Sequence, residues 1–259
     1  IFFYFDVVNK RTLTLFFLLF NFSLCKSQVN FSDISSDINF NHFYFGGLSG
    51  AGVSFVDFDQ DGYDDISIPT NDEIPILFFK NDGVNLSIID LKINFPYQAK
   101  QILWIDFDND FDKDLYITSY NGKNKLFRNN GFLEFNDVTR ELNLPDSISN
   151  SFGASWADID NDGYIDLLQT YRNQDSLVNV AKLYLNIKGN LFQDISSFSG
   201  INELKKLPFC ATFVDIDNDN FQDLYIANDK SSGNSMYYNN GNNTFLNISN
   251  TSNTGIEMD

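Results

Sequence analysis

Apolar residues in this chain come in short runs broken by Asn, Asp and Gly, a pattern that predicts many short strands joined by turns rather than long helices. The same alternation recurs four times. Val53 and Phe55, Ile102 and Trp104, Ala154 and Trp156, and Ala211 and Phe213 each share one face of a strand, because side chains alternate with period two. The opposite faces carry Ser54 and Val56, Leu103 and Ile105, Ser155 and Ala157, and Thr212 and Val214, also fairly apolar. Both faces are therefore expected to be buried, with the aromatics as core packing and each sheet held between neighbours. A second strand follows in each unit at Asp65–Ile68, Asp114–Ile117, Asp166–Leu168 and Asp223–Ile226, and a third at 76–79, 125–128, 182–185 and 235–238. Tight-turn signals come next: Asn81-Asp82-Gly83, Asn129-Asn130-Gly131, Lys188-Gly189-Asn190 and Asn239-Asn240-Gly241. They lead to a fourth strand at 135–138, 192–195 and 245–248, blurred in the first unit around 86–91. Four short antiparallel strands per unit is a propeller blade.

Between the first and second strand of every unit stands an acidic loop. In Asp158-Ile159-Asp160-Asn161-Asp162-Gly163-Tyr164-Ile165-Asp166, carboxylates at positions 1, 3, 5 and 9 offer a hard cation oxygen ligands from a tightly curled chain, and the carbonyl of position 7 adds another. An EF-hand would run on to an acid at position 12, where Gln169 stands, and would be flanked by helices, so a calcium loop at a β-hairpin is the reading. The candidate ligands are Asp57, Asp59, Asp61, Tyr63 and Asp65; Asp106, Asp108, Asp110, Asp112 and Asp114; Asp158, Asp160, Asp162, Tyr164 and Asp166; and Asp215, Asp217, Asp219, Phe221 and Asp223. Tyr63, Asp112, Tyr164 and Phe221 enter through their main-chain oxygen. First aspartates lie 49, 52 and 57 residues apart, a period that suits a four-stranded unit and is far longer than that of a parallel β-helix. Carboxylates clustered without a cation repel one another, so Ca2+ is the expected cofactor rather than solvent alone.

The formal charge of −18, from 17 Lys and Arg against 35 Asp and Glu, argues against a nucleic-acid partner. Eighteen of the acids sit in the four loops once Asp64 and Asp112 are included, so the acidity is largely local. Near the start, Lys10-Arg11 precedes an apolar stretch, residues 12–20, too short to span a membrane, with Cys25 and Ser27 at a cleavage-like spacing. This reads as a secretory signal over residues 1–27, with lipidation of Cys25 a weaker alternative and no transmembrane span in the mature chain. A secreted or cell-surface location would supply millimolar calcium. Cys210, among Phe209, Ala211, Phe213 and Val214, is expected to be a buried small hydrophobe, and the lone His42 to have no zinc role. The Gly46–Gly52 run matches no phosphate-binding motif. The expected organisation is a signal at 1–27, a lead-in segment at 28–48, blades at 49–97, 98–149, 150–206 and 207–250, and a linker at 251–259.

At these residues the sequence resembles the FG-GAP or VCBS repeats over roughly residues 49–250. The loop Asp-x-Asp-Asn-Asp-Gly, the Leu-Tyr strand after it and the later Leu-Phe-x-Asn-x-Gly and Phe-x-Asp-Val patterns are most similar to proteins of the CRTAC/ASPIC-UnbV type. The resemblance implies an all-β fold, a β-propeller of four-stranded antiparallel blades, with calcium held by the first, third, fifth and ninth loop residues. Such propellers generally have seven blades, so the ring is expected to be incomplete here, with further blades after Asp259. Phe111 and Asn220 depart from the pattern where the loop glycine is expected, which implies weaker second and fourth sites; Asn220 tolerates a left-handed turn, whereas Phe111 implies a strained or opened one.

Aspartate pairs invite a glycosidase reading, but a catalytic pair needs two different environments in one cleft, and here every loop repeats the same pattern. One His supports no Ser-His-acid set. The expectation is a non-catalytic binding, adhesion or scaffold module for a protein or carbohydrate ligand; the alternative is the propeller domain of a secreted polysaccharide-degrading enzyme such as a lyase.

Overall fold

A computed structural model describes residues 32–33, 50–172, 180–229 and 233–254. The chain divides into two units, Ile1–Asn41 and His42–Asp259, and every strand named below belongs to the second. The signal over 1–27 with Cys25, His42 and most of the glycine run lie outside the described residues.

The first sheet holds β1 (Ser54–Val56), β2 (Asp65–Ile68), β3 (Leu77–Asn81) and β4 (Leu86–Ile89). The second holds β5 (Gln98–Ile105), β6 (Asp114–Gly122), β7 (Lys125–Asn129) and β8 (Phe135–Asp137). The third holds β9 (Ser149–Ala157), β10 (Asp166–Tyr171), β11 (Ala181–Asn186) and β12 (Phe192–Asp194). The fourth holds β13 (Pro208–Val214), β14 (Asp223–Asn228), β15 (Ser235–Asn239) and β16 (Phe245–Asn247), followed by the one-turn helix α1 (Ser249–Ser252). Within each sheet consecutive strands pair antiparallel, and the start of β9 also pairs with the end of β6 through Tyr120↔Asn150 and Gly122↔Ser149, joining the second and third sheets. The fold is all-β, of four-stranded antiparallel sheets, consistent with an incomplete propeller. The strand that was blurred in sequence is β4.

Register places the acidic loop identically in each sheet. The last residue of the inner strand faces loop position 9 as Val56↔Asp65, Ile105↔Asp114, Ala157↔Asp166 and Val214↔Asp223.

Three apolar clusters fill the spaces between successive sheets. The inner-strand aromatic faces the preceding sheet. Trp104 stacks on Phe58 at 4.8 Å between ring centroids and donates its indole N–H to Ser67 Oγ at 2.9 Å. Trp156 meets Tyr116 edge-on at 5.3 Å, and Phe213 packs with Ala211 against the cluster of the third and fourth sheets. Loop position 2 plugs the following interface: Phe58, Phe107 and Ile159 are buried.

The expectation of two buried faces therefore holds in the middle and fails at the ends. Phe55, expected in the core, is 64 % exposed, because no described sheet precedes the first. On the fourth sheet the opposite face is open for the mirrored reason. Val214 and Ile216 are exposed, and so is Cys210, which corrects the expectation of a buried cysteine.

Candidate metal centre

Each loop is shaped by its own carboxylates. The position 1 side chain accepts N–H groups from the far side of the turn: Asp57 from Asp61 and Gly62 at 3.0 and 2.8 Å, Asp158 from Asp162 and Gly163 at 3.1 and 2.9 Å, Asp106 from Phe111 at 3.1 Å, and Asp215 from Asp219 and Asn220 at 3.2 and 3.0 Å. The position 5 carboxylate accepts the N–H of position 7, from Tyr63, Asp112, Tyr164 and Phe221. These are turns in which an aspartate closes on its own backbone two residues on.

Two residues per loop take left-handed backbone. Position 4 does so as Gln60, Asn109, Asn161 and Asn218, with φ of 60 to 62°. Position 6 does so with φ of 95° at Gly62, 76° at Phe111, 92° at Gly163 and 73° at Asn220. The second loop thus keeps the common turn with a phenylalanine where glycine is unstrained, and the expectation of an opened loop gives way to that of a strained one.

Position 9 does something different from the others. Asp65, Asp114, Asp166 and Asp223 are fully buried, and each holds two backbone N–H groups. One comes from position 2 of its own loop (Phe58, Phe107, Ile159, Ile216; 2.9 to 3.2 Å) and one from the end of the third strand (Asn81, Asn129, Asn186, Asn239; 2.7 to 2.9 Å). Those asparagines return a side-chain N–H to the carbonyl of position 8, at 3.1 Å in every unit. Position 9 is thus a clamp between loop and third strand, as well as a charged group.

Carboxylate oxygens converge in all four loops. Asp57, Asp59 and Asp61 come together in the first, and positions 1, 3 and 9 in the others: Asp106, Asp108 and Asp114; Asp158, Asp160 and Asp166; Asp215, Asp217 and Asp223. Within each group the oxygens lie within 4.8 Å of one another. Asp65 in the first loop, and Asp110, Asp162 and Asp219 in the others, stand outside these groups. Among the described residues, Asp106 Oδ1, Asp108 Oδ1 and Asp112 Oδ1 are buried and accept no hydrogen bond.

Burial, with like charges beside it, pushes these acids up. Asp114 rises to about 8 and Asp166 to about 7, against the pull of their two N–H donors. Asp112 rises to about 6, chiefly by desolvation and then by Asp110 and Asp108, and Asp65, Asp108, Asp160 and Asp223 shift the same way. Desolvated, mutually repelling carboxylates are the donor set that a divalent cation relieves.

Two features were not read from sequence. The residue before each third-strand asparagine overhangs the loop and differs between units. Lys80 pairs with Asp59 and, at 2.9 Å, with Asp61; Arg128 Nε pairs with Asp108 at 2.9 Å; Tyr238 donates to Asp219 at 3.2 Å; the third loop has Leu185 there. Position 4 side chains also bridge consecutive loops. Gln60 donates to the carbonyl of Phe111 at 2.6 Å, Asn109 to that of Gly163 at 2.8 Å, and Asn161 to that of Asn220 at 3.2 Å. The amide at position 4, present in all four loops, was the available signal.

The geometry defines a protein of repeated four-stranded sheets with an acidic loop at one corner of each. Residues 106–168, from the first aspartate of the second loop to the strand after the third, match the FG-GAP-like repeat family. Among solved structures, the chain is similar to a lectin from Agrocybe aegerita that specifically recognises non-reducing terminal N-acetylglucosamine. Identity there is 18 % over 75 % of this chain and 50 % of the lectin, with a TM-score of 0.49. It is also similar to part of the Tc holotoxin pore of Photorhabdus luminescens, 16 % identical over 77 % of this chain and 9 % of the toxin chain, with a TM-score of 0.42. The chain thus spans half the length of the lectin and a small part of the toxin. No curated protein sequence matches it.

Proposed function

We propose that the chain is a calcium-stabilised, non-catalytic binding module of a secreted or cell-surface protein, with the four acidic loops as its metal sites. The observation that carries the metal reading is the set of buried carboxylate oxygens in the second loop, Asp106, Asp108 and Asp112, that accept no hydrogen bond while their neighbours repel them. Ca2+ would be held by the carboxylates of positions 1, 3, 5 and 9 with the position 7 carbonyl. Its chemistry there is charge neutralisation, which stabilises the folded state by linkage. The FG-GAP-like match supports the reading of the loops.

A binding role is favoured over catalysis by the repetition itself. Among the described residues the acidic groups contain aspartate alone, and the buried acid with a raised pKa recurs at position 9 of every loop rather than standing once in a cleft. Secretion rests on residues 10–27, and among the described residues no helix is long and apolar enough to cross a membrane. The ligand class proposed is a protein or a carbohydrate.

Melting the protein across a calcium titration, with chelator as the reverse arm, tests the metal reading. The midpoint should rise with calcium and fall reversibly on chelation; an unchanged midpoint throughout would overturn it. Export with the native leader followed by amino-terminal sequencing should give a start at Gln28, and retention of residues 16–20 in the product would overturn the signal.

A further inference from the structure

At the end of the strands opposite the acidic loops, a cleft of about 520 Å³ opens where the 145–150 connection passes the end of β10 and the start of β11. That volume suits a ligand of one or two sugar rings. In a protein with a formal charge of −18, the described residues lining the cleft bring Arg172 and Lys182 together with one carboxylate, Asp194.

Arg172 is built in rather than displayed. Its guanidinium lies 5.5 Å from the ring centroids of both Phe152 and Phe209, its side chain is 12 % exposed, and Nη2 pairs with Asp229 at 2.7 Å. Nη1 is buried and makes no hydrogen bond among the described residues. A fixed guanidinium with one edge taken and donors left over is suited to a carboxylate. Lys182, on the cleft wall, makes no ion pair among the described residues and adds a second positive charge.

The remaining lining suits hydroxyls and a ring face. Tyr171 and Tyr184 offer aromatic surface, and the Tyr171 hydroxyl donates to Gln169 at 2.7 Å. Asn150 supplies an amide, and Asp194 lines the cleft while one of its oxygens accepts the Ser196 N–H at 2.9 Å. A bare carboxylate would leave this wall unused. A neutral sugar would leave Arg172 Nη1 and Lys182 unanswered.

We propose that this cleft binds a saccharide bearing a carboxylate, a uronic acid residue, anchored by Arg172. The proposal rests on the binding-module reading and names its ligand class.

The test is calorimetric titration of the full chain in saturating calcium with sodium glucuronate, with glucose and sodium acetate as controls. Glucuronate is expected to bind saturably, and both controls at least tenfold more weakly. Arg172→Gln should weaken glucuronate at least tenfold and Lys182→Gln several-fold, with the melting midpoint of Lys182→Gln unchanged. Should Arg172→Gln fail to fold for want of its packing, Lys182→Gln decides alone. Absence of saturable glucuronate binding by folded protein, equal binding of either control, or full affinity in the folded variants would overturn the proposal. The calcium melting shift, measured on the same preparation, separates the two readings: a shift without glucuronate binding removes the cleft proposal alone, and binding without a shift removes the metal reading alone.

Discussion

Arg128→Leu copies into the second loop the residue that the third loop carries at the same register, Leu185. Arg128 is already a cation inside the second site. Its Nε pairs with Asp108, Nη1 reaches Glu141 at 3.5 Å, Nη2 donates to the Gly189 carbonyl at 3.4 Å, and the guanidinium covers the Phe107 ring at 5.2 Å. A calcium ion arriving at Asp108 has two courses open to it. If Arg128 stays about 4 Å away, a single charge repels a divalent ion by roughly 2 kcal/mol even at the dielectric constant of water. If it swings out, the partly exposed ion pair and the ring contact are lost, together about 1 to 2 kcal/mol. The cheaper course sets the penalty, so Arg128→Leu should tighten the second site by about 5- to 30-fold. Lys80 has no ring contact among the described residues and is one-third exposed, so Lys80→Leu should tighten the first site only up to about fivefold. The expected order of affinity in the native chain is third loop, then first, then second. Competition against a chromophoric chelator at limiting calcium reads these affinities. In chelator the sign reverses: without Arg128 the carboxylates of the second loop repel unopposed, so the variant should melt below the native chain without calcium and gain more from adding it. Unchanged affinity of the weakest site together with parallel melting curves would refute the argument.

Phe111→Gly should leave the second site's affinity unchanged and raise stability. The turn already exists at φ 76° with the ring 85 % exposed, so relief of about 1 to 2 kcal/mol of left-handed strain outweighs about 0.5 to 1 kcal/mol of glycine entropy. Gly163→Phe should cost about 1 to 2 kcal/mol of backbone strain with no clash, since nothing lies within 4 Å of the added Cβ; urea titrations of both variants check the pair. The calcium-free chain should lose stability as pH rises. Asp114 and Asp166 have folded pKa values of about 8 and 7, above the unfolded carboxylate, so their contribution is complete below about pH 4 and lost as pH climbs through 7 and 8. Saturating calcium should flatten that slope, and denaturation in chelator at several pH values measures it.

The strand order, the four-unit period and the loop corners were legible because they rest on local chemistry: alternating side chains, Asn-Gly turns and an aspartate spacing that repeats. What escaped was relational. Phe55 and Trp104 occupy the same strand position, yet one is exposed and the other buried, and only the position of each sheet in the stack decides which. Asn186 was passed over as a counterpart of Asn81, Asn129 and Asn239 because its turn is one residue longer; the shared bond to the buried aspartate reveals the equivalence. Arg128 and Lys80 are ordinary surface cations in sequence, since nothing in a strand's own pattern says that it ends beneath a neighbour's carboxylates.

These contacts also separate what shapes a loop from what the ion does there. Every turn is closed by N–H groups that aspartates of positions 1 and 5 already hold, and position 9 ties it to the third strand. The curl is thus held by the chain's own hydrogen bonds, at the expense of several desolvated, mutually repelling charges. A cation bound there would relieve that repulsion. The position 4 amides then give the effect a direction, because Gln60, Asn109 and Asn161 each grip the position 6 carbonyl of the loop that follows. That residue's own N–H is held by the position 1 carboxylate in the second, third and fourth loops, so the residue gripped at its carbonyl from one loop also closes the next ring through its N–H. The loops are thereby hydrogen-bonded one to the next, as a connected rim along the stacked sheets.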